Sequence, residues 1–315
     1  MMRNNKFLKS EHGGAMVMVA LLMTALLGLT AIVVDAGRLY SEKSSLQKAL
    51  DAAVLAGGHM MLNNTSQAKN IAIEIASKNG YTLLNSDLEL TGASLRATKE
   101  IAVPMTFAKV LGISEVDVYA TAKVMAGPLK MGRGIAPIAV LKDEIPNGTS
   151  LKCQNTGQHS GNCGYLNLDG GGASALANAI KYGSSYSVGD DFNVDTSPGE
   201  KWGQVSNAID YLIQKDSDKP HCHAFATADN SCARVIYVAV IDSLTDASGR
   251  STVEIVGFAA YWLENTSGNG NGNGNNNGNG NREIKGHFID MVAQGEIDES
   301  GTGIGFGLYG LKLVD

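Results

Sequence analysis

Residues Ala15 to Val34 form a run of twenty residues without a charge, in which Thr24 and Thr30 are the only polar side chains. As a helix rising 1.5 Å per residue, such a run spans the ~30 Å hydrocarbon layer of a bilayer. It therefore reads as a transmembrane helix, residues 15–35. The residues before it carry Arg3, Lys6 and Lys9 against Glu11. The positive-inside rule then places residues 1–14 in the cytoplasm and exports everything after Asp35.

Two processed forms compete with this uncleaved, single-pass anchor. A secretory signal also begins with a basic stretch and an apolar run, but its apolar region is usually ~7 to 15 residues. Only Val34-Asp35-Ala36 imitates a small-residue cleavage site. A prepilin-type leader would be cut after a glycine such as Gly13 or Gly14. The acidic residue expected five positions into its mature chain is missing, since Met18 or Val19 stands there.

The helix is expected to continue outside the membrane as residues 36–62. Leu39, Leu46, Leu50, Ala53, Gly57 and Met60 recur at spacings that keep them on one stripe, with Arg38, Glu42, Lys48 and Asp51 largely on other faces. No proline interrupts it. One helix from Ala15 to Leu62 would be ~70 Å long. Ala49, Ala52, Ala53 and Ala56 line its outer half, and small residues let a neighbouring backbone approach closely. That neighbour is either another helix or the chain's own globular part.

The remainder has enough apolar sequence for a core, 44% of the chain, and 38 glycines among 315 residues point to turn-rich β structure or a low-complexity insert. A formal charge of -6 argues against nucleic-acid binding, which needs a basic face. Residues 63–130 read as a small α/β, pilin-like module. Ser66 to Gly80 fits a short helix with Ser66 as N-cap, Asp87 to Leu95, Glu100 to Pro104 and Val116 to Met125 fit strands, and Thr106 to Leu111 fits one or two helical turns. Gly127-Pro128 looks like a boundary. Residues 131–315 then read as a β-rich exported domain. Its strands are Ile135 to Leu141, Tyr165 to Leu168, Arg234 to Ser243, Thr252 to Leu263, Glu283 to Ala293 and Gly305 to Val314, with a short helix over Ala173 to Tyr182. Residues 268–281 contain only Gly and Asn, have nothing to bury, and are expected to be a mobile loop. The fold class is α+β.

Few residues carry recognisable chemistry. Cys153 and Cys163 enclose nine residues, as do Cys222 and Cys232. In an oxidising compartment four cysteines favour disulfides, and two local loops are the simplest of three connectivities. A metal site from His221, Cys222, His223 and Cys232 suits a tetrahedron poorly, because His-Cys-His presents alternate side chains to opposite sides of a strand. Asp190, Asp191, Asn193 and Asp195 offer calcium-type oxygen ligands, but Thr196 and Trp202 replace the glycine and glutamate of an EF-hand. What remains is a non-EF calcium site or, by default, a surface turn. Asp169-Gly170-Gly171-Gly172 lacks the Lys and Ser/Thr of a phosphate loop and reads as a tight turn. No hydrolase, zinc-protease or kinase signature occurs, so neither a catalytic residue nor a cofactor is assigned. Asp35, at the edge of the span, either reaches the headgroups or pairs with a basic residue on a neighbouring helix, such as Arg38 of another subunit.

Residues 13–58 resemble the N-terminal segment of the TadE/TadG-like proteins of bacterial Flp (tight-adherence) pilus systems. The resemblance rests on a glycine before the apolar helix, Val-Asp-x-Gly-Arg-Leu-Tyr at Val34 to Tyr40, and Asp-Ala-Ala-x-Leu-Ala-Gly at Asp51 to Gly57. Beyond residue 130, Gly161 to Leu166 and Gly257 to Ala260 are similar to the exported part of members lacking a von Willebrand-type domain. The resemblance implies a membrane-anchored pilus-assembly component or minor pilin at the bacterial cell membrane, not an enzyme. Its partners would be the bilayer and other pilin-type or Tad proteins, met through Asp35, Arg38, Ala49, Ala53 and Gly57. The rival expectation is an anchored extracellular ligand-binding protein or enzyme that uses the helix only as a tether.

Overall fold

The computed structural model describes residues 12–61, 64–132, 134–148, 150–152, 164–168, 170, 172–184, 193–197, 201–244, 250–267, 282–298 and 305–314. It begins with one uninterrupted helix of 47 residues, α1 (His12–Gly58). Leucine and alanine dominate it and no proline enters it, so nothing breaks the hydrogen-bond ladder over its ~70 Å. Its two halves have different surroundings. Met16 to Val34 are exposed apart from the half-buried Ala31, whereas Leu46, Leu50, Ala53 and Val54 are fully buried on one face.

The elements that bury them follow in sequence. Helix α2 (Thr65–Lys78) starts at Asn64, whose Oδ1 accepts from the Gln67 amide at 3.0 Å. The cap is thus Asn64 rather than Ser66, one of the strongest N-cap residues in place of another. Ala68, Ala72 and Ala76, four residues apart, form its buried ridge. Strands β1 (Leu88–Thr91), β2 (Ser94–Pro104) and β3 (Glu115–Gly132) pair antiparallel in order. Hairpin β2–β3 keeps an unbroken register from Ser94 opposite Met125 to Pro104 opposite Glu115. A 3-10 turn at Ala108–Leu111 closes its tip, ended by Gly112 in the left-handed region at φ 85°. Leu46, Leu50, Ala53, Val54, Leu95, Ala97, Ala122 and Val124 share the resulting core.

The chain then builds a second layered unit from β4 (Ile135–Leu141), β5 (Ser150–Lys152), α3 (Ala173–Tyr182), β6 (Asn193–Asp195), α4 (Trp202–Lys215), β7 (Val235–Ile241), β8 (Thr252–Ser267) and β9 (Glu283–Ile289). Its strands run in the order β4-β7-β8-β9-β5, with β6 on β8. Strand β7 is almost entirely apolar because both of its faces are covered. Ile236, Val238 and Val240 meet Leu176, Ile180, Trp202, Val205 and Ile209 of the two helices, while Ala239 and Ile241 face the other way.

Strands β10 (Met291–Val292), β11 (Gly295–Ile297) and β12 (Leu308–Val314) return to the first sheet, where β12 lies between β3 and β10 and β11 pairs with β3. Leu129, Met291 and Leu308 of that sheet join Ala239, Ile241, Phe258 and Ala260 in one cluster, so the two sheets share a core.

One expectation is revised. Gly127-Pro128 is no break: β3 continues through it, with Pro128 opposite Tyr309 and its carbonyl accepting from the Asp298 amide at 2.9 Å. The first sheet is completed by residues far beyond 130. Helix α4 was not foreseen, although Trp202, Val205, Ala208, Ile209 and Leu212 form its buried face at helical spacing. Residues 268–281 lie outside the described residues.

Candidate functional site

The half of α1 up to Val34 is long and apolar enough to cross a membrane, and none of its most apolar window is buried. Asp35 ends that stretch and is buried. Its carboxylate accepts the backbone amides of Thr106 at 2.9 Å, Phe107 at 3.0 Å and Ala108 at 2.7 Å. These amides open the 3-10 turn at the hairpin tip, where N–H groups lack partners within the turn. A side chain from another element thus caps the turn, and an ionised acceptor makes each bond stronger than a neutral one. Leu39, one turn further along α1, packs against Val103, Met105 and Val118, and Arg38 donates from Nη1 to Thr106 Oγ1 at 3.5 Å. Gln47 Nε2 reaches the Thr121 carbonyl at 2.9 Å. The β2–β3 hairpin is therefore strapped along α1 for most of its length.

The small-residue stripe has the same in-chain destination. Ala49 and Ala53 are buried. A Cβ on Gly57 would sit 2.6 Å from Leu95 Cδ2 and 2.7 Å from the Ala68 carbonyl. The backbone that comes close there is this chain's own α2, by the small-residue logic that also serves contacts between subunits. Likewise, the Asp35 carboxylate, offered by the sequence to another subunit's Arg38, is used within the chain. Its partners are main-chain amides, which leave no side-chain signature in a sequence. The tip they belong to carries Phe107, Val110, Leu111 and Ile113, all exposed.

The other candidates fall elsewhere. Cys222 and Cys232 are bonded, with 2.04 Å between sulfurs. Cys153 and Cys163 lie outside the described residues. His221, Cys222 and His223 sit on a 3-10 turn (Pro220–His223), not on a strand, so the alternation argument does not apply. The turn brings His221 to both cysteines, with ligand atoms within 4.8 Å of one another, while His223 Nε2 lies 3.0 Å from the Asp216 carbonyl. Beside this turn Asp216 is fully buried, accepting from the Arg234 amide at 2.8 Å and Lys219 Nζ at 3.0 Å. Burial pushes its carboxyl up, but the Arg234 and Ala233 amides and the Lys219 ammonium outweigh that and hold it below the usual carboxylate range. Trp262 Nε1 donates to the Cys222 carbonyl at 2.9 Å and its ring lies under the Arg234 guanidinium, 4.5 Å away. This cluster therefore fastens the turn to β8.

Of the proposed calcium ligands, Asn193 and Asp195 lie on β6, and Asp195 Oδ1 accepts from Thr252 Oγ1 at 3.0 Å. Asp190 and Asp191 lie outside the described residues, as do Asp169 and Gly171 of the glycine turn. Gly170 and Gly172 have φ of 95° and 141°, the backbone a tight glycine turn requires.

An apolar half-helix left exposed beside a two-sheet body suggests membrane anchoring. Residues 13–61 match the family model described as putative Flp pilus-assembly TadE/G-like. The match covers nearly all of α1 and ends where the chain turns towards α2. No curated protein and no solved structure matches the chain.

Proposed function

We propose that this chain is a membrane-anchored component of a Tad-type pilus system, either an assembly factor that stays at the membrane or a minor pilin that enters the filament. The observation that carries the reading is the coincidence of the family match with α1, none of whose most apolar window is buried. The apolar half crosses the cell membrane once, with residues 1–14 in the cytoplasm and the body on the exported side. The Cys222–Cys232 bond fits an oxidising compartment. The work is done by packing: the apolar half is left for lipid and for the helices of other pilus proteins, because the small-residue stripe is already used to hold the body. No catalytic role is assigned.

The test is the N-terminal sequence and intact mass of the chain recovered from native membranes and from sheared surface filaments. A chain beginning at Met1 and confined to membranes supports the assembly factor. One beginning at Gly14 or Ala15 in filaments supports the minor pilin. A chain beginning near Gly37 and free in the medium contradicts both, since it would have lost the segment on which the reading rests.

A further inference from the structure

We infer that the tip of the β2–β3 hairpin is a second membrane contact, an interfacial loop that docks into the leaflet from which α1 emerges. The inference rests on the reading that α1 crosses a bilayer.

The direction of the hairpin follows from its contacts with the helix. Gly58 of α1 lies against Val124, Gln47 against Thr121, Leu39 against Val103 and Val118, and Asp35 against Thr106, Phe107 and Ala108. Moving down the helix towards its apolar half thus means moving out along the hairpin to its tip. The tip ends level with the residue that closes the apolar run, some ~35 Å of helix below Gly58.

What the tip displays at that level is apolar. Residues 106–114, Thr-Phe-Ala-Lys-Val-Leu-Gly-Ile-Ser, carry one charge, on Lys109. Val110 is 88% exposed and Leu111 79%, with Phe107 and Ile113 nearly half exposed. Large side chains this exposed on a short, well-capped turn have a cost in water that an adjoining hydrocarbon layer removes. The apolar surface of α1 continues to Val34, next to the residue that caps the turn. Lys109 has an aliphatic stem long enough to leave its ammonium among the phosphates. Glu115 and Asp117, exposed at the start of β3, mark where water must begin. Continuity with the membrane span favours lipid as the occupant over a protein partner. Asp35 would then have a reason to spend its acceptors on the turn: it sets the height of the loop relative to the span.

The experiment uses the full chain reconstituted in phosphatidylcholine vesicles with either ordinary or chain-brominated lipids, carrying V110W or L111W. An L22W variant serves as the reference for the span. The native Trp202 and Trp262 are buried and give a constant background, subtracted with the unsubstituted protein. The expected result is a blue-shifted added emission for V110W and L111W that falls in brominated lipid, as for L22W, and resists aqueous iodide. Quenching of L22W alone, with V110W and L111W open to iodide, overturns the docking and leaves the span intact. Shielding of both tip variants from iodide and from brominated lipid also overturns it, placing the tip against protein. Failure of L22W to respond overturns the docking together with the membrane reading beneath it.

Discussion

Asp35 and Ala108 lie 73 residues apart in sequence, yet a 2.7 Å hydrogen bond joins the carboxylate of one to the amide of the other. Through this and its bonds to Thr106 and Phe107, the end of the apolar half-helix becomes a fixed part of the body. Replacing Asp35 with alanine should leave those three amides without their acceptor. Their hydrogen exchange should rise by a factor on the order of ten or more, while amides in the α2 core stay protected. Unchanged exchange at residues 106–108 would show that the Asp35 carboxylate is not what protects these amides.

The close approach of α1 and α2 predicts a contrast between two glycines of one helix. A Cβ at Gly57 meets Leu95 and the Ala68 carbonyl, whereas one at Gly37 meets nothing within 4 Å. G57A should therefore destabilise the folded body by about 1 to 3 kcal/mol through overpacking. G37A should be neutral, or stabilise by up to about 1 kcal/mol through helix propensity. Chemical unfolding of the full chain in detergent measures both. Equal effects would mean that the α1–α2 contact is looser than described.

Asp216 predicts a pH dependence. Its carboxyl is held below the ordinary range in the folded state, so it contributes stability fully present above its unfolded pKa of ~3.9. That contribution is lost as pH falls through the folded value. D216A removes a fully buried carboxylate from Lys219 and the Arg234 amide, and should cost about 3 kcal/mol at neutral pH. The gap between variant and parent should narrow in acid. A gap independent of pH down to ~2 would contradict the assignment of charge to this group.

Cysteines 222 and 232 close a loop with a sequence separation of 10. On a chain-entropy basis the bond contributes about 3 kcal/mol. The double variant C222A/C232A should lose about that much, and its Trp262 emission should change as the loosened turn draws the carbonyl of residue 222 away from the indole. Unchanged stability would mean that the Asp216, Arg234 and Trp262 contacts alone hold the turn.

The sequence was most readable where interactions are local. Helix α1, helix α3 and strand β4 announce themselves through uninterrupted periodicity or an apolar run that begins after a glycine, and the Cys222–Cys232 pair through spacing. Helix α4 escaped because its start has no side-chain cap and Gly203 follows its first residue, so the punctuation that marks a helix is missing although its apolar stripe is complete. The return of β12 to lie on β3 could not be read, because nothing near Leu308 encodes a partner near Lys123 to Pro128. The same holds for the Asp35 cap, whose donors are backbone groups that every sequence possesses. For the stripe ending at Gly57, composition indicated a close helix contact but not whose helix would make it.

The role proposed for the apolar half of α1 is to take part in pilus assembly rather than to serve only as a tether. The most direct test is to replace residues 12–34 with an unrelated apolar span, keeping Asp35 and everything after it so that the body and its cap are untouched. Surface filaments are then counted in cells that make only the altered chain. Loss of filaments, with the exchanged protein still folded and in the membrane, is the predicted result. Filaments in normal number would contradict it and leave the body to act alone from any anchor.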